Sequence, residues 1–419
     1  MKNIRKFEML TEKMEAIIEE YSISYVNEEN KVYTTPENGG QDESVKNYMR
    51  FVAVEDSQIN LTTLNMSTGE ADNSVDLKHS KDGITWTQYD FNPIPLAAGE
   101  TLYLKGNNEN GFSCMDMETG GGRMCTFGDC SIFGIPNTPS TGKFECHGNI
   151  MSLLYGDEFD DKTIIPSPGC FANIFLGCTN LITAPELPAT TLANNCYGAM
   201  FRECSSLTTA PELPATTLAI QCYTSMFEGC ASLTTTPELP VTTLLNGCYW
   251  GMFEGCTSLT TAPELPATTL YDNCYSDMFA GCASLTTAPE LPATTLTKSC
   301  YWCMFSGCTN LTKAPKLPAT TLAKNCYRNM FQGCTSLTTA PELPATTLAE
   351  YCYSDMFRGC TNLNHITMLA TDISANYCLL GWVSKVSSTG TFVKHPDMTS
   401  LPTDTSGIPE GWTVEDAVL

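Results

Sequence analysis

The twelve residues LTTAPELPATTL run from Leu207 to Leu218 and return unchanged at Leu259–Leu270, Leu285–Leu296 and Leu337–Leu348. Near-copies begin at Leu181 (LITAPELPATTL), Leu233 (LTTTPELPVTTL) and Leu311 (LTKAPKLPATTL). Each copy leads through three variable residues into Cys-Tyr-x-x-Met-Phe-x-Gly-Cys, so the period is 26 residues. Self-similarity at a fixed period of this size marks an array of units, none of which can bury its apolar face alone. Stacking is therefore the first structural expectation.

Within one unit, Cys196, Tyr197, Met200 and Phe201 fall in a single stripe when placed on a helical wheel of about 100° per residue. That predicts a short helix of about two turns. Gly229, Gly255, Gly281, Gly307, Gly333 and Gly359 stand where a left-handed residue would end it, with Glu203 in that place in the first full copy. Leu-Thr-Thr-Ala is short and rich in β-branched residues, and predicts a brief strand. The paired prolines, such as Pro211 and Pro214, forbid a long strand and force an extended turn. The expected repeat core is Cys196, Met200, Phe201, Cys204, Leu207 and Leu218. A 26-residue period lies in the range of leucine-rich repeats, with coils about 4.8 Å apart on the strand side.

The chain has 419 residues, 42% of them apolar, enough for a large core. It divides into an N-terminal helix and attachment arm (1–43), a β-sandwich-like domain (44–150), a repeat solenoid (151–378) and a C-terminal cap (379–419). The fold class is α+β, a leucine-rich-repeat solenoid of short strands and short helices preceded by a small β-sandwich. Segments such as MRFVAVE, INLTTLN and TLYLKGN alternate in the manner of strands, and Lys81-Asp82-Gly83 signals a hairpin. The arm carries Phe7, Leu10, Met14, Ile17 and Ile18 at helical spacing.

With 46 acidic against 22 basic residues the net charge is −24, which argues against nucleic acid and anionic membranes as partners. No apolar run approaches the roughly 18 residues that span a bilayer. Of 22 cysteines, most fall into two series stepping by 26, from Cys170 to Cys378 and from Cys178 to Cys360. That regularity describes core positions filled by reduced thiols better than it describes a disulfide map. The opening MKNIRKFEMLTEKMEAIIEE lacks the apolar stretch of a secretory signal, so folding in a cytosol is expected.

The sequence carries no recognisable catalytic motif. The four histidines form no triad pattern, and HExxH, P-loop and GxSxG are absent. Cys114, Cys125, Cys130, Cys146 and His147 lack the close pairing of structural zinc ligands. Glu186, Glu212, Glu238, Glu264, Glu290 and Glu342, interrupted by Lys316, should stack as a carboxylate ridge; a solvated edge is favoured over a Ca²⁺ site. No cofactor and no metal are expected. Candidate binding residues lie where copies differ: Trp250, Trp302 and Arg328 share the position after Cys-Tyr, which is Gly198, Thr224, Ser276 and Ser354 elsewhere. Exposed aromatics anchor partners. Trp86 and Tyr89 could stack on a sugar ring, against the plainer reading of cross-strand core aromatics.

Met-Phe-Glu-Gly-Cys-Ala-Ser-Leu at Met226–Leu233, repeated along about 171–363, resembles the BspA-type leucine-rich repeats of Bacteroidota. The unit here is longer, with an added Pro-Glu-Leu-Pro. KFECHGNIMSLLYGDEF and GTFVKHPDMTSLPTDTSGIPEGWTV are similar to segments beside such repeats in gut Bacteroides proteins and their phages, and IRKF with SYVNEENKVYTTP is similar to openings of phage virion-associated proteins. The resemblance implies a non-enzymatic surface or adhesion protein. The expectation is a phage virion fibre, decoration or receptor-binding component, made in host cytoplasm, docked on other virion proteins through its N-terminal segment and displaying the solenoid to a host glycan or protein; a homo-oligomer is compatible with it. A bacterial cell-surface BspA-like adhesin is the alternative, and a glycan-degrading enzyme comes last.

Overall fold

The computed structural model describes residues 45–115, 121–131, 137–399 and 401–418; the expected N-terminal helix and arm lie outside them. Lys46–Leu419 forms one compact unit.

Strands fill its first hundred residues. A five-stranded antiparallel sheet runs β10 (Phe144–His147), β1 (Met49–Ala53), β7 (Thr101–Lys105), β4 (Lys78–Ser80), β5 (Thr87–Gln88). A three-stranded sheet orders β3 (Thr62–Asn65), β9 (Gly122–Thr126), β8 (Cys114–Met115), and β2 (Ser57–Ile59) pairs with β6 (Ile94–Leu96). Alternation decides which faces are buried: Met49, Phe51 and Ala53 point inward from β1, while Arg50 and Val52 are half-buried. The Lys81-Asp82-Gly83 signal makes the β4–β5 hairpin, where the Asp82 carboxylate accepts the amides of Ile84 (2.9 Å) and Thr85 (2.7 Å). A four-residue helix, α1 (Ser152–Tyr155), follows β10.

The core runs without a break across residue 150. β10 and the turn after it lie beside the first repeat through parallel bridges, Phe144↔Leu181 and Asn149↔Glu186. Phe51, Phe127 and Phe144 meet edge-on, and Phe127 stacks on Phe175, the first ring of a long column.

From there the coils repeat, and the expected helix is corrected. The segment Asn195–Cys204 is a ribbon of overlapping four-residue turns. The amides of Cys196, Gly198, Met200, Arg202 and Cys204 bond three residues back. Those between them bond the next coil: Tyr197 N to Cys222 O (3.0 Å), Ala199 N to Thr224 O (2.8 Å), Phe201 N to Met226 O (2.9 Å) and Glu203 N to Glu228 O (2.7 Å). An α-helix spends every amide on its own chain, four residues back. Here every second amide joins neighbouring coils, as in a parallel sheet. Every fourth residue is left-handed: Asn195 (φ 53°), Ala199 (φ 50°) and Glu203 (φ 63°), with equivalents in each coil. Buried residues therefore come in pairs with a period of four, which a wheel of 3.6 does not separate from a short helix. The expected strand is also reduced, to single parallel bridges such as Thr209↔Thr235 and Thr261↔Thr287.

Two columns of rings run through the stack. Phe171 and Tyr197 through Tyr353 are spaced 5.7–6.1 Å apart, and Phe175 through Phe357 are spaced 5.3–5.7 Å apart. Each fully buried Phe contributes about 1.5–3 kcal/mol of transfer free energy. The second cysteine series threads between coils: the Cys204 thiol donates to Phe175 O (3.1 Å), Cys230 to Phe201 O (3.1 Å) and Cys256 to Phe227 O (3.2 Å). Cysteine suits the site because it packs as a small hydrophobe yet carries a weak donor. All 22 thiols are free, and 20 are buried. Burial pushes Cys196 up to about 12, so these thiols stay protonated.

The segment expected to cap the stack begins as one more ribbon, Tyr377–Lys385, receiving amides from Tyr353, Asp355, Phe357 and Gly359. Its Trp382, fully buried, closes both ring columns by lying against Tyr353 and Phe357. A parallel sheet of β11 (His365–Met368), β12 (Thr391–Lys394) and β13 (Thr413–Asp416) ends the unit.

Candidate ligand-binding face

The ribbon presents three positions per coil toward its outer side: the two after Cys-Tyr and the one after Met-Phe. Left-handed φ at the second of them selects residues that tolerate it, and Ser225, Gly251, Asp277, Asn329 and Asp355 occupy it. Sequence reading missed these positions. Their signal was present as Gly, Asn, Asp and Ser spaced by four.

The column expected to point outward divides by size. Ser276 is fully buried, and its hydroxyl donates to Ser299 O at 2.6 Å; Thr224 likewise donates to Gly247 O at 2.8 Å. A small hydroxyl reaches the next coil's carbonyl, whereas tryptophan and arginine are too large to turn inward. Trp250 is 39% exposed, and Trp302 and Arg328 are half-buried. Buried Ser276 separates the two tryptophans.

Their surroundings are charged. The Trp250 indole donates to Asp277 Oδ2 at 3.1 Å, which fixes the ring. Burial raises the Asp277 carboxyl above the usual range, against hydrogen bonds from Trp250 and Cys303 that lower it. Glu254 is pushed up to about 7, first by burial and then by Glu228 and Asp277, with Arg202 opposing. Glu228 itself pairs with Arg202 at 2.7 Å. Further along, the Arg328 guanidinium lies 5.3 Å from the Tyr351 ring centre, and Tyr351 stacks on Tyr377 at 4.9 Å. Tyr377 is 58% exposed, and Lys324 pairs with Glu350 at 3.0 Å. The face thus grades from tryptophan and carboxylates to tyrosine and cations. Such a face can bind by stacking and hydrogen bonding.

Trp86 and Tyr89 do not join it. Tyr89 is 4% exposed, its hydroxyl donating to Asn60 Oδ1 (3.0 Å) and accepting the Leu61 amide (3.1 Å), so its expected role as a binding ring is corrected to a core role. Trp86 is half-buried, with Lys105 Nζ 4.2 Å from its ring centre and Tyr48 against its edge. Lys105 is held by Asp157 at 2.6 Å, so the protein's own cation takes the place a ligand would use. The six expected core residues, Cys196, Met200, Phe201, Cys204, Leu207 and Leu218, are all buried. Among the described residues no group of three His, Cys, Asp or Glu side chains is placed to hold a metal, and Cys125 instead donates its thiol to Phe112 O.

Among curated proteins, none matches the chain. The family model for the BspA type leucine rich repeat region, in six copies, matches residues 171–286 and 272–379. That interval coincides with the ribbons, ring columns and bridges described above, and residues 171–379 are BspA-type leucine-rich repeats.

Proposed function

We propose that this is a non-enzymatic adhesion protein whose repeat solenoid displays the ribbon face to a host-surface glycan or protein. The observation that carries the reading is the division of variation within each coil. Residues turned into the stack repeat from coil to coil, while Trp250, Trp302 and Arg328 break the series on the outer side. Fixed rings need no ordering on binding, which lowers the entropic cost of association. Replacing Trp250, Trp302 and Arg328 together by Ala should weaken binding to host cells or to a glycan array by at least about tenfold. It should leave the melting temperature nearly unchanged. Unaltered binding would refute the role.

The finer reading is a phage virion component, a fibre, decoration or receptor-binding protein attached through its N-terminal segment. Sequence similarity of the lead-in, closing and opening segments to phage and Bacteroides proteins supports it. The BspA-type repeat favours a second reading, a bacterial cell-surface adhesin. Mass spectrometry of purified particles against washed cell surfaces separates the two.

A further inference from the structure

A second face, independent of the ribbon, has the construction of a binding groove. The Pro-Glu-Leu-Pro turns of successive coils leave four cavities in series along residues 184–292. In chain order their volumes are about 360, 500, 340 and 480 Å³. Each is walled by prolines of two coils, with a glutamate from each. The volumes are those of ligand sites.

The main chain here is short of partners. At both ends of the array the same turn is bonded to its neighbour: Glu186 N donates to Gly148 O (2.8 Å), and Leu343 N to Thr367 O (3.0 Å). Between those ends, among the described residues, the amides of Glu212, Leu213, Glu238, Leu239, Glu264 and Leu265 donate to no neighbouring coil. The flanking prolines have no amide to give. The turn is thus able to pair along the stack and in the middle coils does not. Its carboxylates are in the same condition: Glu212, Glu238, Glu264 and Glu290 are exposed and, among the described residues, in no ion pair. Like charges facing each other on neighbouring strands oppose the packing that brings them together.

We propose that this groove takes an extended, cationic peptide segment of a partner protein, lying along the stack axis. Such a segment supplies what the groove lacks in each coil: carbonyls for the open amides, ammonium or guanidinium groups for the carboxylates, and apolar stems of Lys or Arg for the proline walls. Lys316 takes the place of glutamate in the coil after Glu290 and ends the run of negative charge.

The test uses a fluorescent octalysine peptide and the full chain, read by anisotropy at about 0.15 M salt, where long-range attraction is screened. Glu212→Gln, Glu238→Gln, Glu264→Gln and Glu290→Gln together should weaken binding at least about tenfold. A control with Glu70, Glu109, Glu410 and Glu415 changed to Gln removes equal charge from exposed sites elsewhere and should lose less than about twofold. Lys316→Glu should tighten binding. Equal losses in the two quadruple variants, or no binding by the wild type, would overturn the proposal. A Ca²⁺-induced rise in melting temperature, lost in the groove variant and without peptide binding, would give the groove to a metal ion instead.

Discussion

The ribbon side and the Pro-Glu-Leu-Pro side of the same coil hold their neighbours by different means. On the ribbon, every second amide crosses to the next coil, two ring columns run underneath, and a thiol column donates across the gap. On the proline side the middle coils exchange no amide bond at the Glu-Leu pair, and cavities separate them. Cohesion is concentrated where the backbone ladder and the rings coincide. The other side is left open for solvent or a ligand.

Truncating a ring should expose this difference most. Phe253→Ala leaves a hole in a stacked column with bonded backbone on both sides, and should cost about 3–5 kcal/mol. Leu265→Ala, equally buried but beside a cavity, should cost nearer about 2 kcal/mol. Urea midpoints of the two variants give the comparison; equal costs would break it.

The next effect is smaller but reverses sign. In an α-helix, Ala199→Gly would destabilise by about 1 kcal/mol. With Ala199 at φ 50° it should stabilise instead, by up to about 1 kcal/mol, because glycine relieves the left-handed strain. Gly255→Ala, at φ 71°, should destabilise by about the same amount. Thermal melts of both variants check the pair.

Among the thiols, Cys256→Ala removes a donor to Phe227 O from a fully buried site and should cost about 1 kcal/mol. Half-buried Cys303→Ala removes a donor to the Asp277 carboxyl and should also cost about 1 kcal/mol.

Glu254 carries a pH dependence. Its carboxyl is pushed up to about 7 in the folded chain from an ordinary value of 4.5, so the folded state binds more protons than the unfolded state between those values. Stability from this group is therefore greatest below pH 4.5 and is lost as pH rises through 7. Melting temperature should fall from pH 5 to pH 8 by less in Glu254→Gln than in the wild type. An identical slope would remove Glu254 from the cause. Smallest of all, Glu264→Gln should leave stability within about 0.5 kcal/mol, since its carboxylate is exposed and, among the described residues, in no ion pair.

The stacking of coils was legible because it follows from a 26-residue period and residues that cannot hide alone. Burial of Cys196, Met200, Phe201 and Leu207 was legible for the same reason. The backbone that carries them was not. Apolar pairs recurring every four residues satisfy a helical wheel, and the contrary signal lay in the residues between them: Asn195, Gly229, Gly251, Asn273, Asp277 and Asn329 occupy left-handed positions at steps of four. The binding face was half legible. Trp250 and Trp302 stood out as exceptions in a repeated column. Ser276 turns inward in that same column because its hydroxyl can reach a carbonyl, and Ser354, also buried, donates its hydroxyl to the neighbouring Asp355 carboxylate. Trp86 and Tyr89 were misplaced because partners distant in sequence, Lys105 for Trp86 and Leu61 for Tyr89, are invisible in local sequence.

The ribbon itself is open to direct test by NMR scalar couplings across hydrogen bonds. Amide nitrogens of Tyr249, Gly251, Phe253 and Gly255 should couple to the carbonyl carbons of Cys274, Ser276, Met278 and Ala280, one coil ahead. Couplings from those amides to carbonyls four residues back in their own coil would contradict it and restore the helix.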